Sequence, residues 1–130
     1  MSGVHTEEEI ANTYLRHFES KQDQDFWAFK EVVEIFRGSD PEAAWRITQL
    51  LVKKASSDEA LAYVAAGPLE DLLYGYGLTI LDKVEAAARN DKRLQLALSG
   101  VWLTHKDPAW ERWYALMKEF GFAEGRRTPL

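Results

Sequence analysis

Apolar residues recur at helical intervals along almost the whole chain. Thr6 followed by Glu9 reads as a capping box. Behind it Ile10, Tyr14 and Phe18 repeat at fourfold spacing, with Ala11 and Leu15 beside them, as on an amphipathic helix. Polar residues 20–25 interrupt that stripe. Phe26, Phe29, Val33 and Phe36 then share a second helical face, and Gly38 supplies a stop. Asp40-Pro41 is the clearest helix start, an N-cap acid before a proline in the first turn, with Ser39 and Glu42 as an alternative capping box. Ala44, Thr48, Leu51, Val52 and Ala55 mark the buried face that follows, widened by Trp45 and Ile47.

Ser57-Asp58-Glu59 restarts a helix that buries Leu61, Val64 and Ala65 and is expected to end at Gly67. Pro68 then opens a short helix carrying Leu69, Leu72 and Leu73, closed by Gly75 and Gly77. Ile80, Leu81 and Val84 mark another, ending near Asn90, and Leu94, Ala97, Leu98 and Val101 one more. Asp107-Pro108 repeats the Asp-Pro start, ahead of Trp110, Trp113, Tyr114, Met117 and Phe120. No segment alternates apolar and polar residues as a strand does. The expected fold is all-α, one domain over residues 1–130 with 1–5 and 123–130 frayed. Seven or eight helices would form an irregular bundle or a short HEAT-like stack of antiparallel pairs near 25–55, 58–89 and 91–121.

Composition narrows the function classes. The absence of Cys removes disulfides, thiolate metal sites and cysteine nucleophiles. The net charge of -5 lies wholly in the first half: residues 1–65 hold 12 acids and 7 bases, residues 66–130 hold 9 of each. Bases cluster only as the pairs Lys53-Lys54, Lys92-Arg93 and Arg126-Arg127, so no nucleic-acid partner is expected. No secretory or lipidation signal and no membrane-length apolar run is present, which points to the cytoplasm and to no membrane partner. His5, His17 and His105 are scattered without metal-ligand spacing, and no nucleophile elbow, phosphate loop or dinucleotide fingerprint occurs. No metal, cofactor or catalytic residue is expected.

Two sets of residues stand out as candidates. The first is the corner Gly67, Pro68, Glu70 and Asp71: a positive-φ glycine, a first-turn proline, then acids facing the unsatisfied N–H groups of a new helix. Adjacent acids on a helix diverge, so Glu70 and Asp71 make a poor general acid/base pair. The second set is Asp23, Asp25, Trp27, Glu31 and Glu34, an acidic stretch with one Trp off the main apolar stripe. The other four Trp residues, Trp45, Trp102, Trp110 and Trp113, read as closers of a small core.

Ala44-Trp45, the run Ala65-Ala66-Gly67-Pro68-Leu69-Glu70-Asp71-Leu72-Leu73, Ala87-Ala88-Arg89 and Leu98-Ser99-Gly100-Val101-Trp102 resemble a family of small bacterial proteins catalogued as a domain of unknown function. The resemblance spans about residues 40–103, and the Gly-Pro-Leu-Glu-Asp-Leu-Leu run is its most specific part. A His often precedes the closing glycine in that pattern; here Tyr76 precedes Gly77, so no role of such a His carries over. The resemblance implies a bacterial or phage context and a helical fold, and marks Glu70 and Asp71 as more than local caps.

The leading expectation is a non-enzymatic protein-interaction module. In its sharpest form it is a bacterial immunity protein whose acidic first half meets a basic toxin. A small-ligand binder or enzyme using Glu70 and Asp71 with Arg89 or His105 is one rival. Self-association through exposed aromatics is the other.

Overall fold

The computed structural model describes residues 5–122. Seven α-helical segments follow in order: α1 (Glu7–Ser20), α2 (Phe26–Arg37), α3 (Pro41–Lys54), α4 (Asp58–Val64), α5 (Glu70–Ala88), α6 (Lys92–Ser99) and α7 (Trp110–Glu119). No strand occurs among the described residues, so the fold is all-α. The expected frayed ends lie, His5 apart, outside the described residues.

Capping chemistry sets most of the helix starts. Thr6 and Glu9 close the capping box reciprocally, at 3.0 and 2.8 Å. The Asp40 carboxylate accepts the Glu42 and Ala43 N–H groups, with Pro41 in the first turn. Ser57 accepts the Ala60 N–H, and Asp91 accepts those of Arg93 and Leu94. Gly38 caps the end of α2 as expected, and Ser39 just beyond it takes the left-handed conformation, at φ 61°. The expected Asp-Pro start at Asp107 is used differently. The Asp107 carboxylate accepts the Thr104 N–H within a turn, and α7 begins only at Trp110.

The largest correction concerns Gly67 and Pro68. They form no corner. Residues 58–88 are one continuous helix in which the π-helical segment Ala65–Leu69 joins α4 to α5. The described residues therefore form six separate α-helices instead of seven or eight. The middle unit is one helix, not a pair, which removes the expected stack of three pairs. The physical reason is local. A proline inside an α-helix lacks the N–H for the carbonyl four residues back and presses its ring against it. Widening the turn relieves both conflicts: Glu70 donates its N–H to the Ala65 carbonyl, five residues back. Gly67 is not in a positive-φ conformation. Gly75 and Gly77 lie inside α5 instead of ending it.

Buried side chains from all the helices form one cluster. α1 packs on α2 and α3, α3 packs on α5, and α6 packs on the π segment, α5 and α3. α7 rests on α6 through Trp113, whose indole N–H donates to the Leu98 carbonyl at 2.9 Å. Trp45 and Trp113 are core residues as expected, and Trp110 is half-buried against Tyr114. Trp102 is not: it is 64% exposed. Trp27, expected to be the exposed one, is half-buried and stacked on His5 at 3.9 Å.

The aromatic stripe of α2 is also not core. Ala28 and Val32 are the buried residues of α2, and they bring it close to α1 and α3. Phe29, Val33 and Phe36 lie on the neighbouring edge and overhang a gap before α5. Tyr76 bridges that gap, its phenol donating to the Phe36 carbonyl at 2.7 Å.

Candidate functional site

The gap is an open cleft of about 440 Å³. α1 contributes Tyr14 and α2 contributes Phe29, Val33, Phe36 and Arg37. The π segment contributes Gly67 and Pro68, and α5 contributes Asp71, Tyr74 and Tyr76. Part of its lining is thus the irregular turn that Pro68 imposes. Single π turns inside longer helices are frequent at functional sites.

Most of the lining is apolar or aromatic, and its one acid is Asp71. No described cation forms an ion pair with Asp71. Asp71 is exposed overall, yet the protein around it removes enough water to push its carboxyl above the usual carboxylate range. Tyr14 is buried, and its phenol is pushed well above the ordinary tyrosine range, first by burial, then by Tyr63 and the nearby charge of Asp71. Arg37 lies on the cleft but leans toward Glu34, at 3.8 Å.

Glu70 and Asp71 diverge, as neighbours on a helix must. Glu70 faces the connection between α6 and α7, and its carboxylate accepts the Trp102 N–H at 2.8 Å. It caps another segment instead of its own helix. Two replacements at Glu70 separate an acceptor role from a charge role. Glu70→Gln keeps an oxygen acceptor and should leave amide exchange across residues 100–104 unchanged. Glu70→Ala removes it, should cost about 1 kcal/mol, and should speed exchange there. Equal exchange in both variants would show that this bond does not hold the loop.

The same connection crosses α5 again at Gly77, where an added Cβ would stand 2.7 Å from the Ala109 Cβ. Along this stretch α5 shows solvent a row of its own. Tyr74 is 70% exposed and Leu78 is 63% exposed, one turn apart and one and two turns beyond Glu70. Trp102 stands at the Glu70 end of that row. Tyr74, Gly75 and Tyr76 also line a smaller hollow beside Leu78 and Pro108, so the cleft and the row adjoin.

The acidic set differs in exposure. Asp23 is exposed, Glu31 is half-buried, and exposed Glu34 faces Arg37. Asp25 is 3% exposed and is held bidentately by Arg16, with both bonds at 3.1 Å. It is committed to the fold and is not available to a basic partner. The cover is thin, because the Arg16 side chain over it is itself 60% exposed. Arg16 holds the Asp25 carboxyl below the usual range. A lowered acid stabilises the fold above its unfolded pKa of about 4 and loses that contribution as pH falls through the lower folded value. Asp25→Asn should therefore flatten the fall in urea midpoint below about pH 4. An unchanged acid limb would remove the pair as a contributor.

Of the rival set, Glu70 and Asp71 with Arg89 or His105, only Asp71 lines the cleft. Arg89, at the far end of α5, pairs with Glu119 at 2.8 Å, and exposed His105 stands edge-on to Trp110. Among the described residues no three His, Asp or Glu side chains are placed to hold a metal ion. No described helix is long and apolar enough to cross a membrane.

Sequence reasoning missed Tyr14, Phe29, Tyr74, Leu78 and Trp102 as site residues. Tyr74 and Leu78 carried a readable signal, an i, i+4 apolar pair off the buried face of α5. Breaking the helix at Gly75 and Gly77 hid it.

Fold and site together define a class: an all-α protein with an aromatic-walled cleft and an exposed apolar row beside it. The chain belongs to the family described as a family of unknown function, DUF6869, whose model matches residues 16–120. That span runs from within α1 to the end of α7 and extends well beyond residues 40–103. No curated protein and no solved structure matches the chain.

Proposed function

We propose that the protein is a non-enzymatic protein-binding module that meets its partner through Tyr74, Leu78 and Trp102. The observation that carries this reading is the exposure of three large apolar side chains, each more than 60%: Tyr74 and Leu78, one turn apart on α5, and Trp102, whose backbone is held to Glu70 of the same helix. Exposed apolar surface of this kind marks interaction sites, and Tyr and Trp dominate interface energetics. The charge pattern supports a heterologous partner over a second copy. The chain is at -5, and Glu70, Asp71 and Asp82 lie on the helix that carries the row, so like copies would bring acids together. A partner with an apolar patch rimmed by bases complements it.

In its sharpest form this is a cytoplasmic bacterial immunity protein bound to a basic toxin. The acidic excess supports that form. Internal pairing tempers it, because Glu7, Glu8, Asp25 and Glu42 already meet Arg46, Lys54, Arg16 and Lys83. The test is co-expression with the products of the flanking genes. One of them should co-elute with the wild-type protein and not with a Tyr74→Ser/Leu78→Ser variant of unchanged helicity. Co-elution that survives the double change, or a concentration-dependent dimer in light scattering that the change abolishes, would overturn this reading.

A further inference from the structure

We propose that the cleft between α2 and α5 binds a monovalent organic cation, its ammonium group against Asp71 and its hydrocarbon body against Tyr14, Phe29 and Phe36. This goes beyond the protein-binding reading, since it concerns a small ligand in the cleft and not a partner on the row. A volume of about 440 Å³ lies within the range that holds small organic ligands. Five of the twelve lining residues are aromatic, and ring faces attract ammonium groups through their quadrupole.

The charge inventory gives the ligand its sign. Asp71 is the cleft's one acid and has no described ion-pair partner. Arg37, its one base, has a 74% exposed side chain that leans to Glu34. Tyr76 spends its proton on the Phe36 carbonyl. Nothing in the cleft therefore compensates the Asp71 carboxylate. Partial loss of water already disfavours its charge, so a cation placed beside it relieves that cost. An organic anion would meet the same carboxylate as a repulsion. A bare metal ion would find a single carboxylate, too few ligands for a site.

The experiment is a heteronuclear NMR titration of the full chain with phenethylammonium, the neutral 2-phenylethanol and the anion 3-phenylpropionate. Phenethylammonium should shift the amides of Phe29, Asp71 and Gly75. It should bind at least about fivefold more tightly than the alcohol, and the anion should bind more weakly than either. Asp71→Asn should bring the ammonium to the level of the alcohol and leave the alcohol unchanged. Arg37→Ala should leave or improve ammonium binding, a second variant whose folding does not depend on Asp71. Ammonium binding should weaken as pH falls through the Asp71 titration. The other titratable groups facing the cleft are the phenols of Tyr14, Tyr74 and Tyr76 and the Arg37 guanidinium. Equal binding of alcohol and ammonium, no effect of Asp71→Asn, or no shift of these amides at millimolar ligand would overturn the proposal. Leu78 lies outside the cleft lining, so loss of a protein partner in a Leu78→Ser variant would leave these probe affinities unchanged, and the two readings fail separately.

Discussion

Trp113→Ala is expected to cost about 3–5 kcal/mol of stability, the range for truncating a buried aromatic. Trp113 is 2% exposed and sits in the first turn of α7. Its ring closes the contact of α7 with α6, and its N–H reaches the Leu98 carbonyl. α7 has no side-chain N-cap to hold its start. The ion pairs that tie it to α5, Arg89 with Glu119 and Arg112 with Asp82 and Glu85, lie at a surface where such pairs contribute little. Trp113→Phe should be much milder. The Leu98 carbonyl keeps the Val101 N–H at 3.2 Å, so it is not left bare, and the loss of one neutral hydrogen bond costs about 1 kcal/mol beside the lost ring volume. Urea unfolding of the three proteins reads both differences. A loss for the alanine variant no larger than that for phenylalanine would mean that α7 is not anchored through this ring.

Gly77→Ala should destabilise by about 1–3 kcal/mol, although helix propensity alone predicts the reverse. The added methyl would stand 2.7 Å from the Ala109 Cβ, far inside contact distance. Either α5 or the connection from α6 must move, and the connection also carries Trp102. Gly75→Ala is the matched control. It lies in the same helix two residues earlier, and its Cβ would meet nothing within 4 Å. It should gain about 0.5–1 kcal/mol from reduced chain entropy and better propensity. Opposite signs in the two thermal midpoints confirm that the close approach of residue 109 is what requires glycine at 77. Equal signs would contradict it.

These two glycines also show what the sequence could reveal. Caps were legible because they depend on residues within one turn: Thr6 with Glu9, Asp40 with Pro41, and Ser57 act locally and are found where expected. Gly67-Pro68 and Gly77 were misread because their role depends on what packs around them. A proline after a glycine looks like a corner. It becomes a π turn in a continuous helix when both sides, Leu61 and Val64 before it and Leu69 and Leu72 after it, are buried in one cluster. The α2 stripe of Phe29, Val33 and Phe36 was read correctly as one face of a helix. Which side of α2 meets α1 and α3 is decided by the small pair Ala28 and Val32, which lets the helices approach. The aromatics became cleft walls as a consequence. Trp102 was placed in the core with the other Trp residues, whereas it is exposed and its N–H is held by the Glu70 carboxylate, a partner 32 residues away that no local pattern announces. The Glu70 and Asp71 pair stands out in the sequence, but their separate directions required the helix to be seen whole.

Isothermal titration of the flanking-gene partner against two double variants separates the proposed binding at the apolar row of α5 from binding at the acidic first half. Tyr74→Ser/Leu78→Ser should weaken binding by at least about tenfold, about 1.4 kcal/mol, while Asp23→Lys/Glu31→Lys should weaken it by less. The reverse order, with the charge variant abolishing binding and the row variant matching the wild type, would contradict binding at the row.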